Sequence, residues 1–215
     1  MRHNYIITLS AIGSPDIAPK RKVIGLTGNP GAGKSSVSRI MQNCGARVVD
    51  ADCIGHQLLK SNSPVFDNLI SEFGSSILNA DGEIERKKLC AIVFQAPQRL
   101  QRLNAIVHPV LVQQIEHEIQ QFRASNEPGP LVVDAALIFE WSVASRFDAV
   151  LVVAAPEDVR RKRFMDAHNG ADGDFDRLQS AQMPEEEKKR LANAVINNQT
   201  DLNDLRCKIE EFMKS

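Results

Sequence analysis

The sequence predicts an α/β fold built on a doubly wound parallel sheet, and three observations carry that prediction. Short runs of β-branched and apolar residues alternate with longer segments of helical periodicity. The runs are apolar throughout, as in strands buried on both faces. The first of them enters a glycine-rich turn directly, and a helical pattern follows the turn.

Residues 22–27 are the first expected strand. A helix is expected over residues 34–43, where Val37, Ile40 and Met41 fall at helical spacing, and Gly45 stands where it would stop. Residues 46–49 make a second strand, which ends in Asp50-Ala51-Asp52. From Ile54 to about Arg123 the pattern is helical. Val65, Leu69, Ile70 and Phe73 form one apolar stripe, Leu100, Leu103, Ile106 and Val107 another, and Asn79-Ala80-Asp81-Gly82 is a turn signal between them. His108-Pro109 is expected to break the second helix, which resumes over residues 110–122. Residues 131–133 form a third strand ending at Asp134, 149–153 a fourth, and 194–196 a short last one. A charged segment at 157–190 precedes the last strand, and an amphipathic helix over 201–214 carries Leu202, Leu205, Ile209 and Phe212. The helical stretch between the second and third strands exceeds a simple crossover, so it reads as an inserted subdomain.

At 215 residues the chain can bury one sizeable core. Its formal net charge of -1, from 26 basic and 27 acidic residues, argues against nucleic acid as a partner. No apolar run approaches the ~20 residues that span a bilayer. The stretch from Tyr5 to Gly13 contains Thr8 and Ser10 and is followed by Pro15, Asp16 and Pro19. Residues 1–20 therefore read as an unstructured extension rather than a signal peptide. Cys44, Cys53, Cys90 and Cys207 form no C-x-x-C pair and are expected to be buried free thiols of a cytoplasmic protein.

The strongest local signal is Gly28-Asn29-Pro30-Gly31-Ala32-Gly33-Lys34-Ser35, which matches G-x-x-x-x-G-K-[ST] at every fixed position. Glycines let backbone N–H groups approach phosphate oxygens closely, and the helix that follows aims its positive end at the same anion. Lys34 supplies a charge for the β- and γ-phosphates, and the Ser35 hydroxyl suits Mg²⁺. A strand before the motif and a helix after it are the context a P-loop requires, so ATP and Mg²⁺ are the expected ligands, held by Gly31, Ala32, Gly33, Lys34, Ser35 and Ser36. A regulatory GTPase would add an N-K-x-D motif, and none is present. The modest length, the helical insertion and the basic segment after the fourth strand suit a small-metabolite kinase that closes a lid against water.

Further segments, in order, resemble the dephospho-CoA kinase family: Ile24-Gly25-Leu26-Thr27-Gly28; Val48-Val49-Asp50-Ala51-Asp52; Asp81-Gly82 with Arg86 and Leu89; Leu103-Asn104-Ala105-Ile106-Val107-His108-Pro109; Asp134-Ala135-Ala136-Leu137-Ile138-Phe139-Glu140; Gln182-Met183-Pro184 with Glu187-Lys188; and Val195-Ile196-Asn197-Asn198. The likeness spans about residues 22–212. It implies a P-loop NTPase core with a helical CoA-binding insertion at about 56–125 and a lid at about 157–190. It also implies ATP-dependent phosphorylation of the ribose 3′-hydroxyl of dephospho-CoA, by a protein expected to be monomeric. Another small-molecule or nucleotide kinase, or an ATP-switched binding protein, are the alternatives.

The resemblance assigns the proton-accepting role to Asp52, the second aspartate of Asp-x-Asp, while helix capping is the competing role for Asp50 or Asp52. Lys34 and Arg163 complete the expected catalytic set, and Thr27, Asp52, His108 and Leu137 the substrate-binding set. His108 is read as shaping the acceptor pocket at the helix break. Asp134 ends a strand, where it either reaches Mg²⁺ beside Ser35 or makes a structural hydrogen bond to the P-loop. Arg160, Arg161, Lys162 and Arg163 are lid groups or a solvated helix face. Trp141 lines the acceptor site or packs in the core. Two departures from the family pattern stand out. Ala136 replaces a usual proline, and Asp166, Ala167 and His168 occupy the region of a second lid arginine, so that contact is missing, displaced, or supplied by Arg163 or Arg177.

Overall fold

The structure is a computed structural model, and it describes residues 22–168, 172–199 and 201–214. The extension expected over residues 1–20 lies outside the described residues. Five strands, β1 (Val23–Thr27), β2 (Arg47–Asp50), β3 (Leu131–Asp134), β4 (Ala149–Ala154) and β5 (Ala194–Asn197), form a sheet in the order β2-β3-β1-β4-β5. The helices are α1 (Lys34–Asn43), α2 (Ala51–Gln57), α3 (Phe66–Phe73), α4 (Arg86–Val93), α5 (Pro97–Ala124), α6 (Glu157–His168), α7 (Asp172–Ser180), α8 (Glu185–Leu191) and α9 (Leu202–Lys214).

β1 pairs in parallel with β3 and with β4, and β4 with β5, so Leu26 lies level with both Asp134 and Leu151. Every residue of β1 is buried, which is why its run is apolar with no alternation. After β1 the chain crosses to one side of the sheet for β2 and β3 and to the other for β4 and β5. The carboxyl end of β1 therefore lies where the winding changes side, the usual ligand position in such sheets.

The chain divides into two compact units, a helical unit over Asp50–Gln121 and a sheet unit made of the rest. In the sheet unit, Ile24, Leu26, Val132, Leu151, Val153 and Ile196 share one core with Val37, Ile40 and Met41 of α1 and Leu205 and Ile209 of α9. These residues recur every second position in the strands and every third or fourth in the helices. Burying a side chain of this size contributes about 1.5–3 kcal/mol, so α1 is anchored along its length and its first turn is held against the loop before it. Leu202, expected on the same stripe of α9, is exposed.

In the helical unit, Val65, Leu69 and Phe73 are buried as the first stripe predicts, with Leu58, Ile77, Leu89 and Val93. The Asn79 side chain accepts from the N–H groups of Asp81 and Glu83, and Leu78 and Ile84 form an antiparallel bridge across that turn. The second helical stripe corrects the sequence reading. α5 is one helix of 28 residues with Pro109 inside it, so no break occurs at His108-Pro109. Proline removes one backbone donor, and the carbonyl it would have served belongs to Ala105. Both Pro109 and Ala105 are exposed, so water can reach that carbonyl and the helix continues. Leu111, Ile115, Ile119 and Phe122 are buried, whereas Leu100, Leu103, Ile106 and Val107 are only half-buried. The thiols are a second correction. Cys44, Cys53 and Cys207 are exposed and Cys90 is half-buried, because they fall at a helix end or on solvent-facing helix positions.

Candidate active site

The cradle begins where β1 ends. Gly31 (φ 75°) and Gly33 (φ 92°) take left-handed backbone angles that an L side chain rarely adopts. Space is closed to a side chain as well. A Cβ on Gly31 would stand 2.0 Å from the Arg160 carbonyl oxygen, and one on Gly33 would stand 2.3 Å from the Asn198 amide nitrogen. Gly33 is also the N-cap of α1 and offers no capping side chain, and the first turn of α1 has no acidic residue. Ala32 donates its N–H to the Asn29 carbonyl, and Ser36 and Val37 donate theirs to Gly33. The N–H groups of Gly31, Gly33, Lys34 and Ser35 donate to nothing among the described residues. Unengaged donors at a helix N-terminus, with Lys34 in the first turn, form an anion site. Lys34 makes no ion pair among the described residues.

The cradle is braced from β5 and α6. The Asn198 side chain donates to the Ala32 carbonyl at 2.8 Å, and the Asn198 backbone carbonyl accepts from Arg163 at 2.9 Å. The Arg163 guanidinium stands 3.8 Å from the Cβ position of Gly33, so it lies at the mouth of the loop. The other basic residues of α6 have different employment. Arg160 is 4% exposed; it donates to the Ala155 carbonyl and to Gln179, and pairs with Glu185. Arg161 pairs with Glu157 and Asp176 and lies 4.6 Å over the Phe175 ring. Lys162 is exposed. The cluster is therefore neither a uniform lid edge nor a uniform solvated face. Arg177 is exposed and pairs with Asp174 one turn away.

Asp134 ends β3, and one of its carboxylate oxygens accepts from the Ser38 hydroxyl of α1. Ser38 lies three residues beyond Ser35 on α1, so this bond ties the end of β3 to the helix that carries Ser35, which is itself exposed. Thr27 is fully buried, and its hydroxyl donates to the Ala136 carbonyl at 3.0 Å. That geometry steadies the stem of the loop. Leu137 is half-buried on the turn after β3. Trp141 is half-buried on the same turn, which removes it from the core.

In the helical unit Asp50 and Asp52 differ in their surroundings. Asp50 is the N-cap of α2, and its carboxylate accepts from the N–H groups of Asp52 and Cys53. The Asp52 carboxylate is exposed and engages no partner among the described residues. His108 is half-buried in α5, and burial holds its pKa below the ordinary 6.5.

Sequence reasoning gave no role to Ser38, Asn29 or Lys188. Lys188 is fully buried and donates to the Ala136 carbonyl and to Gln182, and it pairs with Glu140. Burial pushes its pKa down, Glu140 opposes that, and the Lys34 charge adds to it. Within the run Glu185-Glu186-Glu187-Lys188-Lys189-Arg190 nothing in charge pattern marks Lys188; only the phase of α8 turns it inward.

A parallel sheet wound 2-3-1-4-5 with a glycine cradle, a lysine in the helix turn it opens and an arginine at its mouth defines a P-loop phosphotransferase. A family profile described as dephospho-CoA kinase matches residues 22–204. A dephospho-CoA kinase of Carboxydothermus hydrogenoformans is 40% identical over 189 residues, covering 87% of this chain and 90% of that protein. A crystal structure from Thermus thermophilus superposes with TM-score 0.75 at 30% identity, over 90% of this chain and 96% of the other. The dephospho-CoA kinase of Campylobacter jejuni shares the fold, with TM-score 0.67 at 24% identity over 89% of this chain and 95% of the other. The chain belongs to the dephospho-CoA kinase family and is a transferase of the kinase class. No helix among the described residues is long and apolar enough to cross a membrane.

Proposed function

We propose that this kinase moves the γ-phosphoryl group of ATP onto the ribose 3′-hydroxyl of dephospho-CoA, giving CoA and ADP, the last step of coenzyme A synthesis. The observation that carries the reading is the set of four unengaged N–H donors at Gly31, Gly33, Lys34 and Ser35, facing no acidic residue in the helix turn they open. These donors, with Ala32 and Ser36 completing the loop, hold the triphosphate. Lys34 and Arg163 offset the charge that spreads over the transferred group. Because Arg163 is held by the Asn198 carbonyl before ATP arrives, that cation needs little reorganisation as the bond breaks.

Asp52 takes the proton of the attacking hydroxyl. Two observations support it: its carboxylate is exposed and without a partner among the described residues, and Asp50 already caps α2. General base catalysis of this kind is worth about 10²–10⁴-fold. His108 and Leu137 belong to the acceptor side, His108 as the neutral imidazole that its burial favours near neutral pH. The Ser35 hydroxyl and the Asp134 carboxylate are hard oxygen donors, and Ser38 ties Asp134 to the helix that carries Ser35. They are donors of the kind Mg²⁺ takes, and they would hold the ion there. When bound, the ion neutralises phosphate charge. We assign the protein a monomeric, cytoplasmic setting.

The test is ADP release from ATP and Mg²⁺ with dephospho-CoA, a nucleoside panel or no acceptor, with Asp52→Asn run alongside. The expected result is release that depends on dephospho-CoA and falls by about 10²-fold or more in the variant, while ATP binding is unchanged. Equal release with every acceptor, or a variant as active as wild type, contradicts the assignment.

A further inference from the structure

We propose that Lys188 is a positioning residue for the phosphate cradle, acting through a closed ring of part-buried hydrogen bonds behind the loop. Lys188 Nζ donates to the Ala136 carbonyl at 2.9 Å and pairs with Glu140 Oε1 at 3.0 Å. The same Glu140 oxygen accepts the Met183 N–H at 2.7 Å. The Met183 carbonyl accepts from Asn29 Nδ2 at 3.2 Å. Asn29 is two residues beyond Thr27, whose hydroxyl returns to the Ala136 carbonyl at 3.0 Å. The circuit thus joins the stem of the cradle, the turn after β3, the linker between α7 and α8, and α8 itself.

Three of its members, Thr27, Asn29 and Lys188, are at most 2% exposed. In so dry a setting, bonds to a charged group are short and strongly directional. Stability alone does not require a lysine at this place. A buried ion pair is often matched or bettered by an apolar residue of similar volume. What an apolar residue cannot do is hold Glu140 and the Ala136 carbonyl at fixed distances at once. Glu140 Oε1 serves Lys188 and Met183 together, so losing the ammonium lets Glu140 move, and Met183 and Asn29 move with it. The opposite side of the loop is already clamped by Asn198 and by the Arg160 backbone, so the ring supplies the second jaw. The Lys34 charge is felt at Lys188, which puts the ring within reach of the phosphate-binding lysine. Phosphoryl transfer depends on placement, and a shift of about 1 Å from a remote change can cost about 10²-fold.

The proposal rests on the loop being the ATP cradle, so the experiment measures that first, as MgATP binding to the wild-type chain by titration calorimetry with no acceptor present. Failure of the wild type to bind overturns the cradle reading and the ring with it. The informative variant is the double Lys188→Met/Glu140→Gln, which leaves no unpaired buried charge, with Lys188→Met alone for comparison. The double variant is expected to melt near the wild-type temperature, to bind MgATP more weakly and to lose on the order of 10²-fold in kcat/KM. Hydrogen exchange is expected to quicken at residues 28–33 and to stay unchanged over α1 and α9. A double variant with MgATP affinity and kcat/KM within about twofold of wild type overturns the proposal. So does a loss of activity that only follows a fall in melting temperature, with exchange at the loop unaltered.

Discussion

Asp50 and Asp52 are separated by a single residue, and their surroundings give them different work. The first is turned back onto α2 and satisfies two of its orphan N–H groups, a cap worth about 1 kcal/mol. The second is left exposed and without a partner among the described residues, the state a proton acceptor needs. His108 yields a residue-scale prediction. Its pKa in the folded chain is depressed by burial, so the unfolded chain binds a proton more readily than the folded one. The stability it contributes is complete above the ordinary value of 6.5 and is lost as pH falls through that value toward the lower folded pKa. Urea denaturation of the wild type is expected to show falling stability between about pH 7 and 5, and His108→Gln to flatten that part of the profile. An unchanged profile contradicts the assignment. The P-loop residues were legible in sequence because glycines and a lysine at that fixed spacing, between a strand and a helix, serve few ends besides cradling a phosphate. Lys188 and Asn29 were not, since a buried lysine and an exposed one look alike in a charge run, and the ring that engages them is closed by residues far apart in the chain.

At the scale of elements, the strands and α1 follow from the apolar runs and their 3.6-residue successor. The helix expected to break at Pro109 is the instructive exception. A helix-interior proline is costly where the freed carbonyl is buried, and sequence alone does not say on which side of the helix that carbonyl lies. Here Ala105 and Pro109 face solvent and α5 runs through. Pro109→Ala restores the N–H that the Ala105 carbonyl lacks and is expected to stabilise the chain, by up to about 3 kcal/mol. Chemical denaturation of the variant measures it, and a destabilised variant would mean that the proline ring is needed where it stands. α6 falls in a stretch that reads in sequence as a charged segment, with Arg163 in the expected catalytic set and its basic run left as lid groups or a solvated helix face. Four consecutive basic residues point in four directions around the helix. Arg163 ends at the cradle, held there by the Asn198 carbonyl, while Arg160 turns inward to Ala155 and Gln179 and also donates to the Pro30 carbonyl of the loop.

At the scale of the whole molecule, the strand order puts the end of β1 where the winding changes side, and the phosphate cradle lies there. Fold and cradle were readable from one chain because a parallel sheet and a P-loop each impose a strong pattern. The acceptor was readable only through resemblance, because half-buried helical residues carry no signature of the molecule they meet. The central claim is that the phosphoryl group reaches the 3′-hydroxyl of dephospho-CoA. The measurement that tests it most directly is mass spectrometry of the product formed from dephospho-CoA and ATP, with the site of phosphorylation read by a 3′-specific nucleotidase. The expected product carries one added phosphoryl group per acceptor, removed by that enzyme to regenerate dephospho-CoA, and with Asp52→Asn it forms more slowly by about 10²-fold or more. Unchanged dephospho-CoA in the presence of protein that binds MgATP, or a phosphoryl group that the nucleotidase leaves in place, would contradict the claim.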